Sequence, residues 1–189
     1  MNQRMRPGLR SNTQRMMTAA VMTDLPRVRN DSFEHVVGER QVRILRTAYR
    51  LIGNWADAED VAQEVFVRLY RHGLGFPNEA ALTGWLYRVT VNLCLDHRRA
   101  SRTAHELPEL PSLAASAEAA AIRDQQKQRL MAALLLLPQK ERAALVLREI
   151  EGLSTVEVAG ILGSSEGTVR SQVSKAVGRL REIMNGEEL

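Results

Sequence analysis

Residues 154–180 read STVEVAGILGSSEGTVRSQVSKAVGRL, two helical patterns separated by a glycine break. Ser154-Thr155-Val156-Glu157 has the form of a capping box, in which the serine oxygen takes an orphan amide and the glutamate reaches back to the cap, so a helix starts there. It carries Val156, Ala159, Ile161 and Leu162 to the break Gly163-Ser164-Ser165, and a longer helix follows from about Glu166. On that second helix Val169, Val173, Ala176, Val177 and Leu180 form an apolar stripe, while Arg170, Ser171, Ser174, Lys175 and Gly178 lie opposite. A short helix, a tight turn and a longer helix with a face of cations and short hydroxyls are the signature of helix-turn-helix readers of duplex DNA. Arg and Lys bond guanine edges or phosphates, Ser bonds either, and Gly178 lets another surface come close.

Working outward, Pro138 separates a helical stretch at Leu130–Leu137 from another at Glu141–Ile150. Before them, the stretch from Ser101 to about Gln126 holds Pro108 and Pro111 in an Ala/Ser/Glu-rich composition and reads as a linker, with Ala117–Ile122 a possible helix start. Helical spacing returns upstream, between Phe33 and Arg99. From Glu59 to Tyr70 the residues Val61, Ala62, Val65, Phe66 and Leu69 share one half of a helix, with Asp60, Gln63, Glu64, Val67 and Arg71 on the other. A second helix, from about Leu82 to Arg99, aligns Leu82, Trp85, Leu86, Val89 and Leu93. Between the two, Gly73-Leu74-Gly75-Phe76-Pro77-Asn78 is a loop. No alternating β-branched run is long enough for a sheet. The expected fold is therefore all-α: two small helical domains joined by a flexible linker, the C-terminal one a helix-turn-helix.

Charge supports a polyanionic partner. The net charge of the 189-residue chain is only +4, but Gly167–Arg181 carries Arg170, Lys175, Arg179 and Arg181 with no acid, and residues 1–23 carry Arg4, Arg6, Arg10 and Arg15 with none. Residues 1–30 show no sustained hydrophobic period and are expected to be a disordered basic extension, with Met22 an alternative start. The single cysteine, Cys94, excludes an internal disulfide, and no apolar run approaches a membrane span, so a cytoplasmic location is expected. All eight aromatics (Phe33, Tyr49, Trp55, Phe66, Tyr70, Phe76, Trp85, Tyr87) precede the linker. Base stacking is thus open only to the N-terminal lobe, where core packing is the ordinary role of a ring and Phe76, in its Gly/Pro loop, is the candidate exception.

These residues together resemble the extracytoplasmic-function group of bacterial sigma factors. Ala58-Glu59-Asp60-Val61-Ala62-Gln63-Glu64-Val65-Phe66 is similar to the family's polymerase-binding helix. Gly84-Trp85-Leu86-Tyr87-Arg88-Val89, with Asn92, Asp96, Arg98 and Arg99, is similar to its promoter-melting helix. Leu137-Pro138, Glu151-Gly152-Leu153-Ser154, Glu157-Val158-Ala159 and Gly167-Thr168-Val169-Arg170-Ser171 resemble the module that reads the minus-35 element. The resemblance implies a region 2 domain over residues 31–100, a linker over 101–127 and a region 4 domain over 128–189. It implies core-polymerase contact, with the coiled coil of the largest subunit through Asp60, Gln63, Glu64 and Arg71, and also with the flap. It also implies minus-10 single-strand contact through Phe76, Asn78, Arg88 and Asn92, minus-35 duplex contact through Thr168, Arg170, Ser171, Ser174 and Lys175, and an anti-sigma partner. The linker would thread toward the RNA exit path, its Glu106, Glu109, Glu118 and Asp124 partly mimicking nucleic-acid charge. The recognition helix departs from the common pattern at Gln172, Lys175 and Glu166; the last either complements the helix dipole or accepts from a cytosine amino group.

A stand-alone repressor would leave the Asp60–Arg71 face without a purpose, and a decoy that binds only an anti-sigma protein would do the same to the Ser171/Lys175 face. An enzyme fits least. His35, His72, His97 and His105 lack metal-ligand spacing, Cys94 has no evident base, and no Gly-rich phosphate cradle occurs, so neither metal nor cofactor is expected.

Overall fold

The computed structural model describes residues 33–101 and 118–186. The expected basic extension, the alternative start at Met22 and the acids Glu106 and Glu109 lie outside them. In chain order the described residues form α1 (Phe33–Ile52), α2 (Trp55–His72), α3 (Glu79–Ser101), α4 (Glu118–Leu136), α5 (Gln139–Leu145), a π-helical turn (Val146–Ile150), α6 (Thr155–Leu162) and α7 (Glu166–Asn185). No strand occurs among them. Helix α4 begins inside the stretch read as a linker, near the helix start expected at Ala117–Ile122.

Local chemistry sets the boundaries. The Asn54 side chain accepts from the amides of Ala56 and Asp57 at 2.8 and 3.3 Å, which starts α2, and Asn78 does the same for Ala81 at 2.8 Å at the head of α3. Asp57 in the first turn and Arg71 and His72 in the last turn of α2 complement its dipole. The capping box of α6 forms in full: Ser154 Oγ accepts from the Glu157 amide at 3.3 Å, and a Glu157 carboxylate oxygen accepts from the Ser154 amide at 2.7 Å. Gly163 then closes α6 in the left-handed region at φ 60°, which glycine adopts at little cost.

Helices α1, α2 and α3 bury Ile44, Ala48, Val65, Leu69, Leu82, Leu86 and Val91 against one another. Each large side chain removed from water in this way contributes roughly 1.5–3 kcal/mol. The two halves are not held apart by the connector. Ala143, Val146, Leu147, Leu153, Val158, Ala159, Ile161 and Val169 belong to the same buried cluster as the α1–α3 core. Helix α6 packs on α3, α4 touches both α1 and α7, and a smaller cluster of Leu134, Leu137, Leu145 and Ala176 closes the far end. The reason is composition. Each half leaves an apolar strip that its own few helices cannot cover, and the other half covers it.

Candidate DNA and polymerase interfaces

The turn Gly163–Ser165 sets α7 against α6, with Val169 and Ala176 buried and the opposite arc in solvent. Thr168, Arg170, Ser171, Ser174 and Lys175 are all exposed. Ser165 caps α7, its oxygen accepting from the Thr168 amide at 3.1 Å and meeting the Thr168 hydroxyl at 2.8 Å, so Thr168 is held by its own cap. Thr168, Ser171 and Lys175 line a broad polar cleft whose other wall is the start of α5, including Lys140, a cation that helical spacing on α7 alone could not place there. Arg170 lies to one side, its guanidinium 3.4 Å from Glu166 one turn earlier. Glu166 therefore sits in the first turn of α7 and pairs within its own helix, the arrangement of a dipole-complementing residue.

The face of α3 is arranged differently from expectation at one residue. Phe76 is only 6% exposed: its ring stacks on His72 at 4.8 Å and meets the edge of Trp85 at 5.8 Å. The assignment of Phe76 as a base-stacking ring is corrected accordingly. Pro77 and the Gly73 turn fold the loop back, and burial of the ring outweighs exposing it to solvent. Asn78 is exposed at the head of α3, and Arg88 and Asn92 are exposed one turn apart further along it. Arg88 donates to the carbonyl of Gly160 in α6 at 2.8 Å, a bond between the two halves.

On α2, Asp60, Gln63 and Arg71 are exposed, and Glu64 accepts from Arg68 Nε at 2.7 Å. Of these, Gln63 lines an apolar groove between α1 and α2, whose other walls include Phe33, Val37, Leu45, Phe66, Val67 and Tyr70. Val42, Val67 and Tyr70 are 49%, 41% and 72% exposed, so the face offers apolar area as well as charge. Its sequence signal was Val67 in the middle of the polar arc, with Tyr70 beside it.

A further cluster joins the halves. The Glu151 side chain, 4% exposed, accepts from Tyr87 Oη at 2.7 Å and Arg43 Nε at 2.8 Å on one oxygen. Its other oxygen accepts from Thr47 Oγ1 at 2.8 Å and Arg50 Nη1 at 3.1 Å. Burial works to raise the Glu151 pKa, but the bonds from Arg43, Tyr87 and Thr47 win and hold it below the usual carboxylate range. Burial and the bond to Glu151 push the Tyr87 phenol well up, so it stays a donor. Burial likewise pushes the Cys94 thiol up to about 12, although Arg142 pulls the other way.

Residues 36–103 match the Sigma-70 region 2 family and residues 127–180 match Sigma-70, region 4. The chain is 36% identical over 159 residues to the RNA polymerase sigma-E factor of Streptomyces avermitilis, covering 83% of this chain and 87% of that one. The chain belongs to the extracytoplasmic-function (ECF) sigma factors. The ECF RNA polymerase sigma factor SigE of Mycolicibacterium smegmatis is 38% identical over 159 residues, covering 81% of this sigma factor and 62% of that relative's longer chain. The sigma factor RpoE of Bartonella quintana, solved in complex with the anti-sigma factor NepR, has the same fold. It matches at a TM-score of 0.66 and 22% identity, over 82% of this sigma factor and 98% of that chain. Sigma factors direct RNA polymerase to promoters, and the α7 cleft lies within the region 4 match and the α2 groove, Phe33 apart, within the region 2 match.

Proposed function

We propose that residues 31–100 of this sigma factor hold core polymerase and the melted minus-10 strand, that residues 128–189 read the minus-35 duplex, and that residues 101–127 connect them. The observation that carries this reading is the exposed arc of Thr168, Ser171, Ser174 and Lys175 on a helix presented by a capped turn. A major groove takes one helix with short hydroxyls and cations on its outer face. Arg170 serves as a phosphate anchor beside it. Asp60, Gln63, Glu64 and Arg71 on α2, with the apolar groove that Gln63 lines, take a coiled coil of the polymerase largest subunit, and the flap engages the C-terminal half. Asn78, Arg88 and Asn92 contact the minus-10 strand.

An anti-sigma protein is a second partner for the α1/α2 groove, by analogy with RpoE of Bartonella quintana, solved with the anti-sigma factor NepR. The protein acts by binding and performs no catalysis of its own, in the cytoplasm; no helix among the described residues is long and apolar enough to cross a membrane. Run-off transcription with core polymerase on genomic fragments tests the reading: promoter-specific starts are expected, and their absence overturns it. Within that assay, Asp60→Arg is expected to weaken capture of core enzyme in a pull-down while circular dichroism stays unchanged; wild-type capture overturns the assignment of the α2 face.

A further inference from the structure

The donors around Glu151 all come from the N-terminal half. Arg43, Thr47 and Arg50 lie on α1 and Tyr87 on α3, yet the carboxylate they hold is 64 to 108 residues away in sequence. Arg43 Nη2 adds a bond to the Glu151 main-chain carbonyl at 2.7 Å, so one guanidinium grips the residue twice. Among the described residues, Glu151 is the one acid that hydrogen-bonds Arg43 or Arg50. The other cation nearby on α1, Arg40, pairs instead with Glu79. The socket is thus built from two guanidiniums and two hydroxyls, and an anion fills it.

The backbone is shaped to deliver that anion. At the end of α5 the chain widens into the π-helical turn Val146–Ile150, where the Glu151 amide donates to Val146 O at 2.9 Å and the Leu153 amide to Leu147 O at 3.1 Å. Insertions of this kind are rare and gather at functional sites. Next to Tyr87, Arg88 is held by Gly160 O of α6, so the same closure that fills the socket also engages a cation of the α3 face.

We propose that Glu151 is an internal anionic plug: its carboxylate occupies the socket of Arg43, Thr47, Arg50 and Tyr87 that a DNA backbone phosphate takes once the two halves part. Carboxylate and phosphate oxygens accept from the same forked guanidinium and hydroxyl donors, so the two compete for one site. Tyr87 of the socket and Arg88 are consecutive on α3, and both are bonded to the C-terminal half, so parting the halves frees the two together. While Glu151 is seated, only the open fraction of the chain binds DNA there, and the apparent affinity is lowered by that fraction. The identity of the anion rests on the reading of α3 as a DNA-contacting helix; the closure does not.

The test uses the full chain in three forms: wild type, Glu151→Gln, and the double variant Arg43→Ala with Arg50→Ala. Small-angle scattering reports the closure, and fluorescence anisotropy with a short mixed-sequence single-stranded DNA oligonucleotide reports the socket. Both variants are expected to have a larger radius of gyration than wild type. Glu151→Gln is expected to bind the oligonucleotide several-fold more tightly, whereas the double variant, open but without its cations, binds no more tightly than wild type. A Glu151→Gln chain as compact as wild type overturns the plug. Expansion without tighter binding, or equal tightening in both variants, overturns the phosphate socket. Where Glu151→Gln fails to fold by circular dichroism, Glu151→Asp, whose shorter carboxylate retreats from the donors, takes its place with the same expected outcomes. Absence of promoter-specific starts in the run-off assay is a separate result that leaves the scattering comparison standing.

Discussion

Replacing Gly53 by alanine separates strain inside the N-terminal half from contact between the halves. Gly53 has φ +92°, and a Cβ built there would stand 2.5 Å from Leu135 Cδ1 and 2.8 Å from Cδ2. The backbone strain belongs to α1 and its turn and costs about 1–3 kcal/mol, whatever the other half does. The overlap is with the far end of a flexible side chain on α4. Leu135 relieves it by leaving its rotamer, at roughly 0.5–1.5 kcal/mol, or the halves shift apart. Gly53→Ala should therefore lower unfolding free energy by about 1.5–4.5 kcal/mol, the sum of the two costs. In a Leu135→Ala background the overlap disappears and only the strain remains. Urea unfolding of the four chains of this double-mutant cycle gives a coupling of about 0.5–1.5 kcal/mol if the halves are docked as described. Identical Gly53→Ala costs in both backgrounds would refute the docking of α4 on the α1–α2 turn.

Removing the cap of α6 by Ser154→Ala should cost about 0.5–2 kcal/mol of unfolding free energy. The same change should let the Glu157 pKa, now lowered by its bonds from the Ser154 hydroxyl and amide, rise toward the ordinary glutamate value in an NMR titration. For Glu151, whose folded pKa lies below its unfolded value, the stabilisation is complete above about pH 4.3 and is lost as pH falls through the folded pKa. The stability difference between wild type and Glu151→Gln should therefore be flat from neutrality down to that pH and shrink below it; a difference that grows on acidification contradicts the depressed pKa. Lys175→Ala should cost roughly 1–3 kcal/mol on the preferred upstream element and relax choice at one base pair, whereas Arg170→Ala should weaken all sequences alike and flatten the salt slope by about one unit. A uniform loss for Lys175→Ala across single-base promoter variants would reduce that residue to a phosphate anchor.

Periodicity and capping chemistry made the helical elements legible because those signals are local. Ser154-x-x-Glu157 and the Gly163 break fall where the capping box and the left-handed turn stand, and the apolar stripe of α7 faces inward at Val169 and Ala176. The exposed arc of α7 was legible for the same reason: on one straight helix, spacing alone says which side chains share a face. Phe76 was misread because a glycine and proline loop signals exposure of the backbone and says nothing about where a ring within it packs; His72 and Trp85, on two different helices, decide that. Lys140 joins the α7 cleft across a helix pair, which no single-helix pattern reports. Glu151 is the extreme case. Its motif marks it as part of the C-terminal module, but its donors lie on α1 and α3, and the π-helical turn that aims it there breaks the periodicity a sequence reading relies on. A residue whose environment is assembled wholly from the other half leaves no local trace: in sequence Glu151 stands beside Arg148 and Glu149 like any surface acid. The first acid after the apolar run Ala143–Leu147 is Glu149, which is exposed, so spacing does not tell the two acids apart; burying Glu151 is costly unless it is paired, and the cations that pair with it are found only where the two halves dock.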